Sequence, residues 1–492
     1  MAEQGIMARK SVADILGSGE AEGQKLSKTL GLFSITAMGI GAIIGAGIFV
    51  LTGTAAAHYA GPGIMLSFVL GGIACAFVGL CYAELAAMLP IAGSSYTYTY
   101  ATLGELFAWI IGWDLVLEYA MGAATVAVGW SGYVASLLHG IGIDVPPALA
   151  AAPGTVVKLA DGGTVTGIAN LPAAFIVLAL TALLVRGTKE SARLNNIMVV
   201  VKLSVVVAFI AVGAFYVSSA NWHPFIPANT GEFGHYGASG ILRGAGVVFF
   251  AFIGFDAVST AAQEAKRPQR DMPFGILGSL VVCTLLYIAV AAVLTGLVPY
   301  AELGVADPIA KGVDAIGVGW FSILIKLGAL TGLTTVILVS LYGQSRIFFT
   351  MAHDGLLPGL FAHTHPRLQT PYRSQILVGC VVAVAAALIP INILGEMVSI
   401  GTLFAFVLVC GSVIYLRRSD SEAFRPFRAP GVPWVPILGI LSCAVLMAGL
   451  PFDTWLRLIV WLVVGLVIYF SYGRSHSVLR HPPAGGAEAR LS

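Results

Sequence analysis

Gly39-Ile40-Gly41-Ala42-Ile43-Ile44-Gly45-Ala46-Gly47-Ile48-Phe49 is an apolar run studded with glycine, where a membrane helix would run unbroken. Gly246-Val247-Val248-Phe249-Phe250-Ala251-Phe252-Ile253-Gly254-Phe255-Asp256 repeats the feature in the second half of the chain. Inside a bilayer every backbone N–H and C=O needs a partner, so unwound chain survives only where it borders a cavity within the protein. Paired interruptions at corresponding positions of two halves point to the binding site of a carrier built from inverted repeats. Helix packing through small residues is the competing account of such glycines. It explains their spacing but not two breaks in register.

The composition around these segments is that of an integral membrane protein. The chain is 58% apolar and 10% charged, with a mean hydropathy of +0.90, whereas soluble domains carry about 25% charged residues. A span needs roughly 20 mostly apolar residues, and about 12 candidate transmembrane helices are found on that criterion. They lie near 32–56, 64–89, 104–138, 172–185, 194–217, 240–262, 273–297, 319–349, 375–389, 394–416, 433–450 and 453–472. The fourth and ninth are short. Alternating the loops puts both termini on one side. Of the 26 Lys and Arg residues, all but Lys158, Lys202, Arg243, Lys311, Lys326 and Arg457 fall on that side. Basic residues stay cytoplasmic, so both termini are expected inside.

The expected organisation is a cytoplasmic N-terminal segment (1–31), a first repeat of five spans (32–217) and an inverted second repeat (218–416). Two extra spans (417–472) and a disordered cytoplasmic tail (473–492) complete it. Residues 1–30 lack the apolar core of a secretory signal, and Ala21 to Thr29 reads as a short surface helix. The outer stretch Ile143 to Asn170 holds turn signals at Pro146-Pro147 and Asp161-Gly162-Gly163. Cys75, Cys81, Cys283, Cys380, Cys410 and Cys443 fall in apolar spans without ligand spacing and read as small core residues. His363 and His365 beside Pro366 read as solvated loop residues rather than a metal site. No metal, cofactor or nucleic-acid partner is expected.

A charge at mid-bilayer costs about 2.5–3.5 kcal/mol even on the mild insertion scale, so each one here needs a reason. Lys202 lies about two turns into its span, too deep for easy snorkelling. Desolvation disfavours its charged form, which makes it a candidate for loading and unloading a proton; permanent pairing with a carboxylate is the alternative. Asp256 follows the second break and either accepts from freed N–H groups or joins the coupling path. Asp114 and Glu118 share one helical face, with Glu118 a candidate for the cavity or its gate. Glu84 is expected to pack between helices, and Lys326 to snorkel outward.

At these residues the sequence resembles the amino acid–polyamine–organocation superfamily. Gly39 to Val50 resembles its first-helix signature, and Phe249 to Thr260 its sixth helix in the cationic amino acid transporter branch. Glu264 to Pro273, Tyr342-Gly343-Gln344-Ser345-Arg346 and Asp354-Gly355-Leu356-Leu357-Pro358 are similar to its later motifs, in order. One departure is His353, where the family commonly has Arg. The resemblance implies an all-α leucine-transporter fold: a 5+5 inverted repeat with helices 1 and 6 discontinuous, plus two extra helices. It also implies that Lys202 occupies the space a sodium ion fills elsewhere in the fold.

The expected substrate is an L-amino acid, neutral or cationic. Its carboxylate would meet N–H groups and the positive helix end at Ile44, Gly45, Ala46 and Gly47. Its ammonium would meet the carbonyls of Ile43, Phe250, Ala251 and Ile253. Protonated Lys202 would bridge to carbonyls near Gly39 to Ala42 and to Thr334 and Thr335, giving uptake by alternating access with proton symport across the lipid bilayer. An ion-independent amino acid or polyamine exchanger is the rival within the class, and an amino acid-sensing receptor the rival outside it. No nucleophile–base pair or metal motif suggests an enzyme.

Overall fold

A computed structural model of the chain describes residues 8–9, 31–45, 47–89, 94–158, 163–186, 189–305, 307–317, 319–363 and 371–480. The segment 21–29, Ala46, His365 and the tail from 481 lie outside the described residues.

Long apolar runs between prolines and glycines form helices that satisfy their own backbone, as the bilayer demands. In order they are α1 (Leu32–Ile43), α2 (Ile64–Met88), α3 (Ser94–Thr102), α4 (Glu105–Gly140), α5 (Leu171–Arg186), α6 (Lys189–Gly213) and α7 (Gly237–Val248). There follow α8 (Pro268–Leu297), α9 (Pro308–Asp314), α10 (Gly319–His353), α11 (Tyr372–Leu388), α12 (Ile391–Ser419), α13 (Trp434–Ala448) and α14 (Phe452–His476). Proline sets several starts: Pro268 opens α8, and Pro390, Pro433 and Pro451 immediately precede α12, α13 and α14. Proline lacks only an N–H that a helix start leaves unpaired anyway. At about 1.5 Å per residue, the 30 residues of α8 and 35 of α10 exceed the bilayer core. The short spans α5 and α11 have 16 and 17 residues.

Packing sorts the helices into two bodies. α8 lies against α1 and α2, and α7 against α2; α10 lies against α4 and α6, and α11 against α5. α12 packs on α13. Each body thus combines elements from both halves of the chain, and both broken segments begin in the first body.

The termini meet on one face, because the Glu105 N–H donates to Ala8 O at 2.9 Å and Arg480 ion-pairs with Glu105 at 2.9 Å. On this terminal face Glu84 takes a bidentate grip from Arg417 (2.8 Å twice), an ion pair from Arg425 (3.3 Å) and the Ala429 N–H (2.8 Å). Glu84 therefore ties α2 to α12 and to the loop after it. Two expectations need correction. Cys380 on α11 is exposed, because its helix turns that side away from the protein. Lys326 is held by Asp314 of α9 at 3.1 Å, since a carboxylate lies within reach and snorkelling is unnecessary. The stretch before α5 also forms a small antiparallel hairpin, β1 (Val156–Lys158) with β2 (Thr164–Thr166).

On the opposite face α9 packs against α8 and α10 and covers the segment after the first break. Asp307 precedes α9. Burial raises its carboxyl above the usual carboxylate range; the Ser136 hydroxyl and the charge of Lys326 oppose that shift, and Asp314 adds to it. The folded chain then holds this proton more tightly than the unfolded chain. Stability is therefore lost as pH rises through the folded-state value. Hydrogen exchange over 308–314, corrected for intrinsic rates, is expected to be slower at about pH 5 than at about pH 7. Asp307→Asn should remove the difference; an unchanged difference in that variant would show that another group titrates.

Candidate functional site

The first span leaves the α-helix at Ile43. Ile44 is extended (φ −73°, ψ 103°), and the chain resumes as a π-turn over Gly47–Leu51. The second span leaves it at Val248, passes through a 3-10 turn over Phe249–Phe252, and turns at Ile253 (φ −61°, ψ 138°). Gly254 follows at φ +112°, a conformation that side chains disfavour, and a 3-10 helix over Asp256–Glu264 completes the span. Gly47, Phe250 and Ala251 therefore lie in helical turns of other pitch, where wholly irregular backbone was expected. Turns of 3-10 and π type change direction while keeping most backbone hydrogen bonds, which the membrane requires.

The two breaks touch. A Cβ on Gly47 would fall onto the backbone of Ala251, and one on Gly254 would lie 2.8 Å from Ala42 O. Beside the first break, a Cβ on Gly45 would meet Val336 of α10 at 2.9 Å. Gly45 O accepts from the N–H groups of Ile48 (3.2 Å) and Phe49 (3.3 Å). Three of the four carbonyls expected to meet the ammonium already have donors. Tyr287 of α8 directs its hydroxyl to Ile43 O (2.9 Å) and Ala251 O (2.7 Å), and the Ile253 N–H reaches Phe250 O (3.3 Å). One hydroxyl hydrogen shared between two carbonyls leaves lone pairs over, since each carbonyl accepts twice. Tyr287 was missed in the sequence; its only signal is a lone phenol in an aliphatic run, where a buried Tyr hydroxyl needs a partner.

Lys202 of α6 is fully buried. Its Nζ donates to Gly41 O, to Ile44 O at 2.9 Å and to Thr335 Oγ1 at 3.3 Å. An ammonium has three donors, and all three are used, two of them on the first broken segment. Among the described residues no carboxylate ion-pairs with it. Thr334 is turned away: it accepts from Trp130 Nε1 at 3.0 Å and donates to Leu330 O. Successive residues of a helix point about 100° apart, so only one of the two threonines can face α6.

Asp256 caps the second break, accepting from the Gly254 N–H (3.2 Å) and the Tyr119 hydroxyl (3.3 Å). The Glu118 carboxyl of α4 is buried beside it. Glu118 sits in a π-turn (Leu117–Met121), a feature frequent at functional sites and without a sequence signature. Asp114 is buried one turn away. Glu118 and Asp256 are thus brought together, while Asp114 stands apart against Gly401 of α12. His353 does not reach Asp354; it meets Phe349 O at 3.0 Å, and the Asp354 carboxylate accepts from the Tyr96 hydroxyl at 2.6 Å. Among the described residues there is no cluster of His, Cys, Asp and Glu able to hold a metal ion.

Comparison with known proteins agrees with this architecture. The family described as Amino acid permease matches residues 30–469. The chain is 50% identical to the branched-chain amino acid permease BcaP of Bacillus subtilis, over 96% of this chain and 99% of that protein. It is 46% identical to the methylthioribose transporter of the same organism, over 94% of this chain and 97% of that protein. With the cationic amino acid transporter 9 (chloroplastic) of Arabidopsis thaliana it shares 36% identity, over 92% and 89%. These relatives are transporters, not enzymes. The chain belongs to the amino acid permease family, a multi-pass membrane branch of the amino acid–polyamine–organocation superfamily.

Proposed function

We propose that this permease takes up neutral, branched aliphatic L-amino acids by alternating access, coupled to proton symport. The terminal face is cytoplasmic, and the half-repeats 32–217 and 218–416 supply one broken helix each. The observation that carries the reading is the contact of the two breaks, with the Lys202 amine tied to the first of them. The substrate carboxylate sits at Ile44 to Gly47. Its ammonium uses the remaining lone pairs of Ile43, Phe250, Ala251 and Ile253 carbonyls. Val336 against Gly45 gives the site an aliphatic wall. Asp256 accepts from the Tyr119 hydroxyl and the Gly254 N–H rather than awaiting a cationic side chain. The 50% identity to a protein named for branched-chain amino acids supports the same choice.

Purified protein should melt higher with leucine, isoleucine or valine; ligand at 100-fold its Kd adds about 2.7 kcal/mol. Arginine and methylthioribose should add little. Stabilisation by methylthioribose alone would move the substrate class to that of the second relative; stabilisation by arginine alone would move it to cationic amino acids.

Orientation is tested by labelling intact cells with a membrane-impermeant maleimide. Cysteine placed at exposed Gly154 should react and cysteine at exposed Gln269 should not. The reverse pattern would invert the topology.

A further inference from the structure

Glu105 opens α4 on the terminal face and is fully buried. Four side chains converge on its carboxylate: Tyr100 (3.0 Å), Tyr469 (2.8 Å), Arg480 (2.9 Å) and Ser477. Three of them come from the end of α14 and the segment after it. Arg480 also donates to the Tyr469 hydroxyl at 3.1 Å. A span start needs one acidic residue near its first turn at most; this one gathers a distant chain end.

The same segment continues across the loop between α10 and α11. The Val478 N–H donates to Asp354 O at 3.0 Å, and His476 O fills the place a Cβ on Gly355 would take. The Asp354 carboxylate holds Tyr96 of α3 at 2.6 Å. α3 in turn reaches the inner half of the second broken helix, where Ser259 donates to Ser94 Oγ at 3.2 Å. A continuous line of contacts therefore runs from residues 477–480, through Asp354 and α3, to the segment Asp256–Glu264.

α3 joins α2, in the body that carries the breaks, to α4, in the other body. We propose that residues 477–480 are a brace: docked on Glu105 and Asp354 they hold α3 against Asp256–Glu264 and keep the cytoplasmic side of the site closed. Undocking frees α3 and favours opening to the cytoplasm. The charged and titratable groups facing Glu105 are Arg480, Tyr100 and Tyr469. The brace rests on the alternating-access reading.

The test is an Ala262→Cys reporter, buried on the inner half of the second broken helix, with the parent chain as background. A membrane-impermeant maleimide is applied from the cytoplasmic side in inside-out vesicles. Arg480→Ala, Ser477→Ala and a chain ending at His476 should each speed labelling, by about tenfold for Arg480→Ala, within the usual range of coupling between linked sites. Arg480→Lys, which keeps the charge, should stay nearer the parent rate. Equal labelling in all of these, with monodisperse protein and normal flux, overturns the brace alone. Loss of folded protein in all three also overturns it, since the contact would then serve folding. A parent chain with no flux at all would instead overturn the reading on which the brace rests.

Discussion

Gly47→Leu should abolish amino acid binding while the protein still inserts and purifies as a monodisperse species. The added Cβ would fall onto the Ala251 backbone, so the two breaks would have to separate to admit it. Overpacking a dense interior costs about 1–3 kcal/mol, and a misfit of about 3 kcal/mol weakens binding more than about 100-fold. Gly254→Ala should act on the same contact from the other side. It needs a left-handed conformation at φ +112° and sets its methyl 2.8 Å from Ala42 O. Calorimetric titration of leucine into both variants checks this. Binding near the parent affinity in either would mean that the substrate does not lie where the breaks meet.

Lys202→Ala should leave substrate binding in place but remove the response of transport to pH. The amine bonds to Gly41, Ile44 and Thr335, and none of these is Gly47, Ala251 or Gly254, where the two breaks touch. Hydrogen bonds from a charged donor are worth about 1.5–3 kcal/mol each. Losing the proton removes a donor and weakens the tie between α6 and the first break, so the balance of conformations shifts. A gradient that loads the amine on one side and unloads it on the other then biases their exchange. Alanine removes the tie at every pH. Thr335→Val should weaken the pH response partially, and Thr334→Val should not, because Thr334 bonds Trp130 instead. Initial uptake rates across external pH separate these cases. Parent-like pH dependence in Lys202→Ala would refute the role, and loss of folded protein would make the lysine a structural tie.

The reach of the sequence depended on the kind of signal each residue carries. Glycine in mid-span and charge in mid-bilayer violate strong rules, so the breaks near Ile44 and Gly254 could be read directly, and so could the need of Lys202 for buried partners. The pitch of the turns could not. Phe249–Phe252 is wholly apolar and Leu117–Met121 holds the charged Glu118, yet neither composition tells whether such a stretch winds as 3-10, α or π, which is decided by its neighbours. Tyr287 bonds Ile43 and Ala251, 244 and 36 residues away, which no local pattern encodes. Glu105 was equally silent: an acidic residue at a helix start is commonplace, and its ties to Tyr469, Ser477 and Arg480 exist only once α14 is packed. Lys326 was misjudged because its partner Asp314 belongs to the short α9, outside any span.

Under the proposed function the joined breaks and Lys202 make this permease a proton-driven carrier. The most direct test is accumulation of labelled leucine in proteoliposomes holding only this protein, with and without an inward proton gradient. Concentrative uptake is expected under the gradient, with its collapse on adding a protonophore and gradient-insensitive flux in Lys202→Ala. Equal uptake with and without the gradient, sustained only by amino acid loaded on the far side, would contradict it and identify an exchanger.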